Sequence, residues 1–203
     1  KMMKHKSLSA KWPVLDFAKM QDTLETLHQW LQIVGKIRLK TMPWQNHSWH
    51  TALYITPKGY SPHGIPYEGR NYQIDFDFKE HKLNISCSNA GEVKMDLRHM
   101  TVADFHKELF EKLASLGIEV KIHPRPNEME PAIPFTENTT NKSYDPEQAQ
   151  ALWKAMLKAN EVFNQFRSEF VGKASPVHLF WGAFDLAVTR FSGNPAPLHP
   201  GGM

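Results

Sequence analysis

The chain has 203 residues, of which 41% are hydrophobic, enough to bury one ordinary core and too few for several. Its formal charge of +3 is lopsided: residues 1–40 carry eight Lys and Arg against three acids, so the rest is slightly acidic and lacks the basic surplus of a nucleic-acid docking face. One cysteine, Cys87, excludes an internal disulfide framework and suits a reducing cytoplasm, while no run reaches the ~20 apolar residues of a membrane span and no apolar stretch of signal-peptide length follows the N-terminus.

In chain order, residues 1–11 read as a basic tail. Phe17, Met20, Leu24, Leu27, Leu31 and Val34 recur at steps of three and four and predict a helix stopped by Gly35. Alternation at Ile37 and Leu39, and again from Trp49 to Ile55, predicts two strands. Residues 57–69, with three prolines and three glycines, read as a long surface connection. Tyr72–Phe78, Leu83–Cys87 and Val93–Leu97 alternate between apolar and polar positions and form an antiparallel meander, whose polar face must meet water or a ligand.

Thr101 caps a helix through Leu116 that Gly117 ends, and Ile118, Val120 and Ile122 suggest a short strand. Four prolines between 124 and 134 mark an irregular crossing. Asp145-Pro146 opens a long helix to about Phe170, with Ala149, Leu152, Trp153, Met156, Phe163, Phe166 and Phe170 as its apolar stripe. Between Ser175 and Gly193, an N-cap, a first-position proline and apolar residues at helical steps predict a helix; two strands joined at Gly182 are the alternative. A Gly/Pro-rich tail, 194–203, follows the single domain 12–193.

Several local strings together resemble a bacterial family labelled domain of unknown function 5996. They are Leu27-His28-Gln29-Trp30, Gln32-Ile33-Val34-Gly35-Lys36, Asn46-His47, Leu53-Tyr54-Ile55-Thr56, Ile74-Asp75-Phe76-Asp77-Phe78, Ser143-Tyr144-Asp145-Pro146-Glu147 and Pro176-Val177-His178 through Arg190-Phe191-Ser192-Gly193. The likeness covers Trp12 to Gly202. It carries no activity, substrate or cofactor with it, and it implies a further Gly- and aromatic-rich segment beyond residue 202.

The leading site candidates lie in 175–193, where polar residues interrupt an apolar run and need partners or a purpose. On a helix, His178, Trp181 and Asp185 share one side, offering an imidazole and a carboxylate for acid-base chemistry against an indole wall. The competing account is a satisfied core network with a basic neighbour such as Arg190 or Lys173. Arg190 and His199 are candidates for the mouth of such a site. Arg38, beside Lys36 and Lys40, suits a phosphate or carboxylate, or else solubilises a strand edge.

His47 and His50 are candidate metal ligands, but in a strand they point to opposite faces and converge only across a turn. Asp75 and Asp77 share a strand face about 7 Å apart, either as a carboxylate pair or as solvated outward residues. No Gly-rich phosphate loop, zinc-protease helix or nucleophile elbow is found, so no cofactor is identified. The expected fold is α+β, an antiparallel sheet of five or six strands with long helices on one face. The expected function is a cytoplasmic small-molecule-binding domain with acid-base chemistry around His178 and Asp185. The alternative is a non-catalytic interaction or oligomerisation module, a dimer among its forms, that uses the helix from Pro146 to Phe170 or the open sheet face and exposes aromatics such as Trp153, Phe163 or Phe166.

Overall fold

The computed structural model describes residues 11–198. Helix α1, Phe17–Thr41, is the centre of the molecule and is buried on nearly every side from Thr26 to Arg38. It does not stop at Gly35. The stripe of Leu27, Leu31 and Val34 continues at the next helical step to Ile37, which is fully buried, so the alternation read as a strand at 37–39 is the end of the helix.

Residues Asn46–Thr51 form a 3₁₀ segment in which His47 and Ser48 take positive φ, so the strand expected from Trp49 shrinks to β1, Tyr54–Ile55. Two further strands, β2 (Gly59–Ser61) and β3 (Ile65–Tyr67), occupy the stretch read as a surface connection. Buried Tyr60 and Ile65 anchor them. The meander is present as β4 (Arg70–Asp77), β5 (Lys82–Cys87) and β6 (Gly91–Asp96).

Among the described residues, these six strands make one antiparallel sheet in the order β1-β2-β4-β5-β6, and β3 pairs with β4 on the edge it shares with β2. The inward row of Tyr72, Ile74, Phe76, Leu83, Ile85 and Met95 joins Leu27, Trp30 and Val34 of α1 in one core. The core also takes in α2, Val102–Ser115, whose N-cap Thr101 accepts from the Asp104 amide at 3.0 Å. Residues 118–122 form no strand. Ile118 is buried, and the hydroxyl of Tyr67 bonds the Glu119 amide at 3.1 Å and its carbonyl at 3.2 Å in place of a neighbouring strand.

Asp145 caps α3, Pro146–Ser168, accepting from the amides of Glu147 at 2.9 Å and Gln148 at 3.0 Å. Only its first half packs in the core, through Ala149, Leu152 and Trp153; Phe163 is half-buried and Phe166 is exposed, so the stripe expected along the whole helix fades after Met156.

The segment 175–193 is a hairpin, not a helix. Strands β7 (His178–Phe180) and β8 (Asp185–Ala187) pair antiparallel around a turn of residues 181–184, with Phe184 in the left-handed region. Ser175 is no helix cap. Its hydroxyl oxygen accepts the Thr189 amide and its own amide bonds the Thr189 carbonyl, both at 2.8 Å, which closes the hairpin base. Leu179 exchanges two backbone bonds with Leu53, tying β7 to the segment leading into β1. Among the described residues no helix is long and apolar enough to cross a membrane.

Candidate functional site

The hairpin separates the residues that a helix would have aligned. His178 is buried and its Nδ1–H donates to the Pro176 carbonyl at 2.7 Å, whereas Asp185 is exposed on the opposite strand, two positions along from the partner of His178. No hydrogen bond joins them. Trp181 is a core strut whose Nε1 donates to Thr51 O at 2.8 Å. Arg190 bonds the Phe166 carbonyl and lies 3.7 Å above that ring, clamping the end of α3. His199 lies outside the described residues.

The two candidate metal ligands engage different segments. Nδ1 of His50 accepts the Gln45 amide at 3.2 Å, while His47 sits between the Trp49 and Phe191 rings with its Nε2 at 2.9 Å from Lys173 Nζ. Among the described residues no group of three or more His, Cys, Asp or Glu is arranged to hold a metal.

Convergence occurs instead at the sheet edge, around Arg38. β2 pairs with β4 as far as Tyr60–Phe76, and β3 resumes at Ile65–Tyr72. The connection Pro62–Gly64 therefore spans a gap beside Gln73, Ile74 and Asp75 of β4. Arg38, only 5% exposed, reaches from α1 to this gap, where its Nη1 donates to the Pro62 carbonyl. Its guanidinium carbon lies 5.9 Å from the Tyr54 ring, and the exposed His63 stacks on the same ring at 4.3 Å. His63 takes a φ of 57°, and its amide is held by Ser61 Oγ at 2.9 Å.

Electrostatics tie these groups together. The His63 imidazole is held below the ordinary 6.5, chiefly because one side is shielded from water, then by the Arg38 charge, and Asp75 opposes both. The ring is thus neutral at pH 7 and able to accept a proton. Burial also lowers the Arg38 pKa.

Asp75 faces outward into a cleft of about 690 Å³ on the polar side of the sheet, with Gln73, Asn84, Ser86, Glu92 and Lys94 among its lining. Its two carboxylate oxygens share the Gln73 amide at 3.0 and 2.7 Å, and among the described residues it makes no ion pair. Asn84 pairs directly with Asp75 across β4 and β5, and its buried Oδ1 has no donor. Asp77 does not form a working pair with Asp75. It accepts the Lys79 and Glu80 amides at 2.9 and 3.1 Å and pairs with Lys58 at 3.5 Å, which commits it to the β4–β5 turn.

Sequence reasoning named Arg38 and Asp75 and missed His63 and Tyr54. The available signal is the polar pair Ser61 and His63 around Pro62, set between two short apolar strings inside a stretch that reads as a surface connection.

Fold and site together describe an α+β protein with a six-stranded antiparallel sheet, helices on its inner side and a polar cleft on its outer side. The chain belongs to the family of unknown function DUF5996, whose model matches residues 12–203. No curated protein matches the chain, and no solved structure does.

Proposed function

We propose that this chain is a small-molecule-binding domain of a bacterial cytoplasmic protein, that its ligand lies in the outer cleft against Asp75, and that His63 exchanges a proton with it. The supporting observation is Arg38 and His63, a cation and a neutral base that both lie against Tyr54 at the sheet edge, with the unpaired carboxylate of Asp75 on the adjoining strand lining a cleft of about 690 Å³. That volume falls within the ~300–1,000 Å³ of typical ligand pockets, and acid-base chemistry needs a titratable group within reach of the ligand. Asp75 would orient and charge-stabilise the imidazolium formed when His63 takes up a proton. The free, buried Cys87 suits a reducing compartment.

The test is ligand-detected NMR of the full chain with a library of small polar fragments, repeated on Asp75→Asn, His63→Ala and Asp185→Asn. Cleft fragments should lose binding in the first two variants, at unchanged melting temperature, and keep it in the third. Binding lost with Asp185→Asn and retained with Asp75→Asn would overturn this site and return attention to the hairpin.

A further inference from the structure

Resting on that reading of the site, we infer that the ligand carries a carboxylate and that Arg38 receives it. Arg38 has the properties of an anion receptor lacking its anion. It is 95% removed from solvent, it makes no ion pair among the described residues, and its Nε has no acceptor. Buried charges are ordinarily paired, because an unpaired one forfeits its hydration without compensation. The Tyr54 ring at 5.9 Å offers a cation–π attraction, and the Pro62 carbonyl accepts from Nη1. Neither supplies a countercharge.

The free edge of the guanidinium selects the ligand. With Nη1 committed to Pro62, the Nε–Nη2 side of the guanidinium remains, and its two parallel N–H groups match the two oxygens of a planar carboxylate. A dianionic phosphate is disfavoured, because one Arg would face two charges and the Asp75 carboxylate belongs to the same cluster. On the cleft side, Asp75 and the donor-less Oδ1 of Asn84 are acceptors, so the rest of the ligand presents donors. A small hydroxy- or amino-carboxylic acid meets both demands. Access passes the exposed His63, which stacks on the Tyr54 ring beside Arg38.

The experiment titrates the isotopically labelled full chain with sodium lactate, glycerol and inorganic phosphate in parallel, following the Arg38 Nε–H and His63 imidazole resonances. Lactate should shift both saturably and raise the His63 pKa, since an anion brought between Arg38 and His63 favours the imidazolium. These readouts need no variant. Arg38→Lys should weaken lactate at least tenfold and Arg38→Gln should abolish it, with folding checked by amide spectra.

Lactate binding that leaves Arg38 Nε–H unmoved, or phosphate binding as tight as lactate, would overturn the carboxylate assignment. Glycerol bound at Asp75 as tightly as lactate, and indifferent to Arg38, would overturn it while leaving the proposed function standing. Failure of both lactate and glycerol to perturb the cleft would remove both readings.

Discussion

Gly35 lies flat against the indole of Trp181, so closely that a Cβ on it would overlap the ring's Cδ1, Nε1 and Cγ. The indole cannot retreat freely, because its Nε1 is bonded to Thr51 O at 2.8 Å and Lys36 stands over the ring at 5.3 Å. Gly35→Ala should therefore destabilise the fold by about 1–3 kcal/mol, the usual cost of overpacking, although alanine is the better helix former by about 1 kcal/mol. Urea unfolding of the two proteins decides the sign. A stabilised variant would mean that the helix–hairpin contact gives way easily.

The same contact explains where the sequence was legible. The Thr101 and Asp145 caps, the meander and about the first five turns of α1 are set by neighbours a few residues away, so local pattern sufficed. Gly35 reads locally as a helix stop because its reason, Trp181, is remote in sequence and adjacent only in space. Ser175 likewise reads as a cap because its partner, Thr189, lies across a turn that helical spacing concealed. At the site, Arg38 and Asp75 were visible as residue types. The gap between β2 and β3 that brings them to His63 is a matter of strand register, which alternation alone does not reveal.

Gln32 does for the irregular crossing segment what a neighbouring strand would do. Its Oε1 accepts the Asn127 amide at 2.7 Å and its Nε2 donates to the Asn127 carbonyl at 2.8 Å. Gln32→Ala removes both bonds from Asn127, which is itself exposed, so water can take over part of them. The expected loss is about 1–2 kcal/mol, given about 0.5–1.5 kcal/mol net for each hydrogen bond lost. Hydrogen exchange at the Asn127 amide should accelerate more than at amides of β4 or β5. Equal acceleration everywhere would show that the clamp acts on global stability and not on this segment.

Lys36 is 5% exposed, bonds Asn127 Oδ1 and has no carboxylate partner among the described residues, and burial holds its amine below the ordinary 10.5. Between the lowered folded value and 10.5 the unfolded chain binds more protons than the native one, so this group makes stability rise with pH across that window. Lys36→Met removes the effect and keeps the apolar stem that packs on Trp181. The variant should be at least as stable as the parent at pH 7, and the parent should gain on it as pH rises toward 10.5. Denaturant titrations at several pH values measure this. A parent that loses ground to the variant over that range would contradict the account.

Three tyrosines give the opposite sign at higher pH. Burial pushes Tyr72 up to about 12, raises Tyr60 further, and raises Tyr144 with help from the Asp145 charge. In the unfolded chain each ionises near the ordinary value of 10. Above that value the unfolded state sheds protons that the native state keeps, so stability falls as pH rises. Phenolate absorbance at about pH 11 should then fall short of the five tyrosines in the chain until the fold opens, and the rest should appear together with loss of the near-ultraviolet dichroism signal. Tyr72→Phe should retain part of the stability that the parent loses above pH 10, because phenylalanine has no proton to release. All five phenols titrating reversibly near 10, with the dichroism intact, would show that the core around Tyr60 admits charge and water.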